Sequence, residues 1–165
     1  MHHWFLIQTR VKQEKVAEEN LRHQGFNIFL PTIKMVGRRA GHWQDVEEPL
    51  FPGYLFIYVN QHQQNIAPIR STKGVLKLVR FGTELQPVPD VIVDEIKQRL
   101  EQAGSQPAGL PLKKGDKVWI TEGSFKGMVA IFETESGSRR VELLLEMLGR
   151  YNKITLGRDE IGPAE

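Results

Sequence analysis

The chain has 165 residues, room for one medium domain or two small ones, and its 40% hydrophobic and 25% charged residues are those of an ordinary globular protein. The absence of cysteine excludes disulfides and thiolate metal sites and fits a reducing compartment. A net charge of +2 means that any nucleic-acid role must rest on local clusters of cations.

Met1-His2-His3-Trp4 lacks the basic start and apolar run of a secretory signal, and no apolar stretch approaches the ~20 residues of a bilayer crossing. A cytoplasmic protein without a membrane partner is expected. Residues 4–9 (Trp-Phe-Leu-Ile-Gln-Thr) form a short apolar run suited to a buried central strand. From Lys12 to Gln24 the pattern turns helical, with Val16, Ala17 and Leu21 on one face and Gly25 as the stop. Phe26 to Leu30 is again strand-like, and strand–helix–strand opens an α/β or α+β layer. Between 33–36 and Pro49 lies a polar, glycine-punctuated stretch, 37–48, which predicts a projecting hairpin or a mobile loop.

Tyr54 to Val59 is the strongest strand in the chain, and residues 75–81 predict another. Residues 91–100 carry Val91, Ile92, Ile96 and Leu100 at helical spacing and close a first domain, 1–100. Residues 101–112, with Gly104, Ser105, Pro107, Gly109 and Pro111, predict a flexible linker spanning roughly 20 Å root-mean-square. Residues 113–165 then form a small second domain.

That second domain has two readings. As β, residues 113–120 and 128–133 are strands, and Val141, Leu143, Leu145 and Met147 alternate with Glu142 and Glu146 before a further strand at 151–156, in the manner of a small SH3-like barrel. As α, Val141, Leu144, Leu145, Leu148 and Tyr151 form one helical stripe, Phe125, Val129 and Phe132 another, and residues 136–138 join two helices. Periodicity alone leaves both open.

The aromatic strand is equally double-edged. Leu55, Ile57 and Val59 lie on one face, Tyr54, Phe56 and Tyr58 on the other. The second face is either covered by helices or exposed as an interface. No catalytic constellation is present: there is no Walker-type loop, no HExxH and no Gly-x-Ser-x-Gly. His2, His3, His23, His42 and His62 lack metal-ligand spacing. Neither an enzyme nor a cofactor or metal is expected.

Several segments resemble the NusG family of transcription elongation factors. Trp4-Phe5-Leu6-Ile7 before a Glu/Ala-rich helix is similar to its opening, and Pro49-Leu50-Phe51-Pro52-Gly53-Tyr54-Leu55-Phe56 to its proline–glycine turn and aromatic strand. Lys114-Gly115-Asp116-Lys117-Val118-Trp119-Ile120 and Gly123-Ser124-Phe125-Lys126-Gly127 look like the start of a KOW module. Glu48-Pro49-Leu50-Phe51-Pro52, Thr72-Lys73-Gly74-Val75, Val79-Arg80-Phe81-Gly82 and the leucine-rich 141–148 are closest to the specialised RfaH-type paralogues.

The resemblance implies an α+β protein: an N-terminal α/β sandwich, then a KOW domain that is a helical hairpin when autoinhibited and a β-barrel when released. It implies a monomeric antitermination factor. Phe51, Tyr54, Phe56 and Phe81 would bind the clamp helices of the largest RNA polymerase subunit. Arg10, Lys12, Gln13, Arg70, Thr72 and Lys73 would contact a single-stranded non-template DNA element, although such basic loops are more often simply solvated. Asn65-Ile66-Ala67 depart from the histidine–threonine-rich stretch linked with a second polymerase contact. A pair of Glu48 with Arg140 (Arg139 the alternative) would latch the helical tail, with Phe132, Leu144 and Leu145 at the covered seam. The released barrel would engage a small-subunit ribosomal protein through Leu148, which equally suits a barrel core. The alternatives are a general NusG-type factor and a ribosome-associated KOW protein. The aromatic segment argues against the latter, whose members are usually far more basic.

Overall fold

The computed structural model describes residues 1–104, 124–134 and 136–161. Side-chain alternation on two neighbouring strands decides the architecture. In β1 (His3–Thr9) Trp4 and Leu6 face one side of the sheet, Phe5 and Ile7 the other. In β5 (Tyr54–Val59) Tyr54, Phe56 and Tyr58 share the first side, Leu55, Ile57 and Val59 the second. The two pair antiparallel, Phe5 opposite Ile57. With β2 (Asn27–Phe29) beyond β5 and β6 (Val75–Leu78) beyond β1, the sheet has the order β2-β5-β1-β6.

Both faces are apolar, so both need cover. The second face is covered by α1 (Glu14–His23), through Ala17 and Leu21, and by Ile69 of the short α2 (Ala67–Arg70). Helix α1 stops where glycine permits: Gly25 has φ +93, its N–H donates to Arg22 O, and the Phe26 N–H donates to Leu21 O. Gly74 is a different case. At φ +92 it presses on α1 so closely that a Cβ would lie 2.7 Å from the Ala17 backbone nitrogen.

The projecting stretch is a ribbon of β3 (Thr32–Arg39) and β4 (His42–Pro49), turned at Ala40 (φ 54) and Gly41 (φ 80). Two consecutive positive φ values give the turn the twist that a two-residue hairpin needs. The expected single strand at 75–81 is two pieces. Arg80–Phe81 (β7) leaves the sheet to pair with Glu84–Leu85 (β8) around Gly82, whose φ is +72.

The first face receives α3 (Asp90–Gly104), which contributes Ile92, Val93 and Ile96. Val91 was expected on that buried stripe but points outward, 46% exposed, because Ile92, Val93 and Ile96 already fill the seam. Helix α3 also continues through 101–104, the first residues of the expected linker. The rest of that linker, and the KOW-like stretch through Lys114–Ile120 to Gly123, lie outside the described residues.

Cover for the remainder of the face comes from the tail. Of its two readings the helical one describes this structure: α4 (Ser124–Glu133) and α5 (Gly137–Ile161) form a hairpin. The strands read at 128–133, 141–147 and 151–156 are therefore helical here. Met128, Ile131, Phe132, Leu144, Met147 and Leu148 join Leu6, Phe51, Phe56 and the α3 residues in one core. The physical reason is burial, since helical spacing brings these side chains onto one stripe that the aromatic face needs. Among the described residues no helix is long and apolar enough to cross a membrane, and no cluster of His, Asp and Glu could hold a metal.

Candidate functional site: a covered aromatic face and its basic rim

Rings cross the first face of the sheet in contact. Phe51 meets Phe56 edge-on at 6.1 Å, Phe56 meets Phe29 at 5.8 Å, and Trp4 lies 4.9 Å from Tyr58. Lys97 of α3 sets its Nζ over both the Trp4 and Phe29 rings, at 5.1 and 5.2 Å. Phe51 and Phe56 are fully buried, whereas Tyr54 and Phe81 are half-buried at the margin. Burial pushes the Tyr54 phenol above its ordinary pKa.

The turn before Tyr54 is held from below. Gly53, at φ +86, donates its N–H to the buried Glu14 carboxylate (2.7 Å) and accepts the Thr9 N–H at its carbonyl (2.8 Å). Glu14 escaped the sequence reading because an acid in a first helical turn is usually explained by the helix dipole alone.

Arg140 fastens the tail to this turn. Its side chain is 1% exposed, and among the described residues Nε donates to Leu50 O at 2.7 Å, Nη2 to Glu48 Oε2 at 2.6 Å, and Nη1 to Thr134 O at 3.4 Å. The Glu48 side chain is 37% exposed. Arg139 is half exposed and turns instead to Glu142 of its own helix, 2.8 Å away. Phe132 and Leu144 are buried at the seam, and Leu145 is half-buried. Leu148, considered as a partner-facing residue, is buried in the same seam. Gly137 opens α5 directly against Pro52, where a Cβ would meet Pro52 Cγ at 2.7 Å. The Leu50 carbonyl and the Gly137 approach had no sequence signal, since both depend on how the tail lies.

The basic residues divide. The Arg10 N–H donates to Gly74 O (2.8 Å), so the segment Arg10–Gln13 and the loop carrying Lys73 sit side by side, with Arg10, Lys12 and Lys73 exposed. Lys12 has φ 59, uncommon for a residue with a side chain. Thr72 does not present its hydroxyl to solvent: it is 7% exposed, donates to Pro68 O (2.8 Å) and accepts from Gln24 Nε2 (2.8 Å). In this structure the Thr72 hydroxyl braces α1 against α2. Arg70 belongs to a different place, an open cleft beside α2.

Comparison with known proteins gives one family and several relatives. Residues 2–97 match the family model described as transcription termination factor nusG. The chain is 29% identical to the Thermus thermophilus transcription termination/antitermination protein NusG, over 96% of each chain. It is 28% identical to that of Lactococcus lactis, over 96% of this chain and 91% of the relative. A solved Thermotoga maritima NusG, titled for its domain interaction, aligns at 23% identity with a TM-score of 0.41, over 75% of this chain and 70% of that one.

Proposed function

Because this chain belongs to the NusG family of transcription termination and antitermination factors, we propose that it acts as an RfaH-type antitermination factor whose polymerase-binding face is shut by its own tail. The face centred on Phe51, Tyr54 and Phe56, with Phe81 at its margin, engages RNA polymerase at the clamp helices of the largest subunit. The observation that carries this reading is the helical tail seated on that face and pinned by Arg140. A surface rich in aromatic anchors and covered by a hairpin held at one buried cation has the form of an interface with a removable lid.

On this reading a first domain, 1–100, and a tail domain, 113–165, are joined by the 101–112 segment. Arg10, Lys12, Gln13 and Lys73 meet an exposed non-template DNA strand that recruits the factor. Cations there neutralise phosphates, and the neighbouring polar groups read base edges. The freed tail refolds into a KOW-type β-barrel and engages a small-subunit ribosomal protein, linking transcription to translation. Glu48, Arg140, Phe132, Leu144 and Leu145 hold the closed form; Leu148 changes partners between the two.

A second reading is a general NusG-type factor that needs no DNA address. The NusG names of the relatives cited above, at 28 and 29% identity, favour it. One experiment separates the two. In an Arg140→Ala background, where the lid is loosened, the protein should bind polymerase without DNA, while wild type should require the DNA element. Adding Tyr54→Ala should then weaken binding roughly 30-fold, the loss typical of one aromatic anchor. Tyr54 is chosen because, half-buried, it is removable without emptying the core. Equal binding by wild type and Arg140→Ala returns the protein to the general class; unchanged affinity on Tyr54→Ala removes this face from the account.

A further inference from the structure

Beside α2 lies an open cleft of about 590 Å³ lined by Ile66, Ala67, Arg70, Ser71, Leu78 and Arg80. We propose that it receives one nucleotide of single-stranded DNA, the base against Ile66, Ala67 and Leu78 and the phosphate between Arg70 and Arg80. The proposal rests on the DNA-facing reading of the neighbouring rim and adds to it a subsite that Arg10, Lys12 and Lys73 do not form.

Chemistry and size both point to this occupant. The volume falls in the range of small-molecule sites, and the walls divide into an apolar floor and a cationic, hydroxylic rim. Among the described residues no carboxylate lines it, and its two charged lining groups are both cations. Arg80 uses one N–H of its fork on the carbonyl of Thr83 (3.0 Å), which steadies the guanidinium and leaves its other donors for a phosphate. Arg70 makes no ion pair among the described residues. The cleft is also rigidly tied to the rim. Ile69 anchors α2 in the core, and Thr72, between the two, bonds to both Pro68 O and Gln24 Nε2. Ser71 of the cleft and the exposed Lys73 of the rim lie two residues apart in the chain. A protein loop is a poorer fit, because two unopposed cations over a small apolar floor suit a flat base with its phosphate better than a peptide.

The test uses the full chain and a fluorescein-labelled single strand of about twelve nucleotides, within the usual span of such sites. The variant Arg70→Ala/Arg80→Ala should lose at least tenfold in affinity. Its plot of log affinity against log salt should be flatter by about 0.7, the value for one phosphate on a single strand. Ala67→Glu, an exposed position where misfolding is not at issue, should do the same damage with both arginines present. An abasic site moved along the oligonucleotide should weaken wild type at one position only, and that position-dependence should vanish in Ala67→Glu. If Arg10→Ala/Lys73→Ala abolishes binding while the cleft variants bind as wild type, the DNA reading stands and the cleft proposal falls. If wild type binds no single strand, both fall. The natural chain has no cysteine, so Ala67→Cys offers a unique label. Its shielding by polymerase free of nucleic acid would make the cleft a protein contact and overturn the proposal.

Discussion

Removing Arg140 should undo the tail far more than removing its carboxylate partner. The difference can be worked from the geometry. The bond from Nε to the Leu50 carbonyl is buried and charge-assisted, worth about 1.5–3 kcal/mol, and its loss leaves that carbonyl without its partner. The Glu48 contact is short, but the Glu48 side chain is over one-third exposed, which holds its share to about 1 kcal/mol or less. Arg140→Ala should therefore weaken docking by about 2–4 kcal/mol, from 30-fold to several hundredfold in the docking equilibrium. Glu48→Gln should cost about 1 kcal/mol, because the carbonyl bond survives it. Arg139→Ala, whose pair lies within one helix and in solvent, should change docking by less than about 0.5 kcal/mol. Methyl NMR of Leu144 and Met147 in the intact chain reports the docked and undocked populations directly. An effect of Glu48→Gln equal to that of Arg140→Ala would show that the carboxylate, not the backbone, carries the latch. An unchanged spectrum for Arg140→Ala would refute the latch altogether.

Two glycines of α5 should respond with opposite sign. Helix propensity favours alanine at both by up to about 1 kcal/mol, and Gly149 has open space around it, so Gly149→Ala should raise the docked fraction. Gly137→Ala should lower it, because the new methyl meets Pro52 at 2.7 Å; a rise at both sites in the same NMR assay would show the approach to be soft. In the first domain, Gly74→Ala combines φ +92 with a backbone collision against Ala17 and should cost about 3 kcal/mol or more in thermal unfolding. Gly82→Ala, at φ +72 with nothing nearby, should cost about 1–2 kcal/mol, and a similar Tm for the two variants would discount the collision. Arg10→Ala and Lys73→Ala should each reduce recruitment to a paused transcription complex; wild-type recruitment of both would defeat the DNA-facing reading.

Local pattern carried much of the first domain. The strands at β1 and β5 and helix α1 with its stop at Gly25 follow from alternation, spacing and turn chemistry, all of which act over a few residues, whereas the polar stretch 37–48 left hairpin and loop both open until β3 and β4 paired around Ala40–Gly41. The pairing of Glu48 with Arg140 was within reach only through resemblance, since the two lie 92 positions apart. Pattern failed where neighbours distant in sequence competed for one surface. Val91 lost its place in the core to Ile92, Val93 and Ile96; the strand at 75–81 broke so that its end could pair with Glu84–Leu85; and Thr72 turned inward to join two helices. The tail is the clearest case. Residues 124–151 satisfy a helical stripe and an alternating strand about equally well, so intrinsic preference leaves them undecided. The aromatic face of β1 and β5 supplies the deciding term, because only a helical stripe sets Phe132, Leu144, Met147 and Leu148 together against it and removes both surfaces from water.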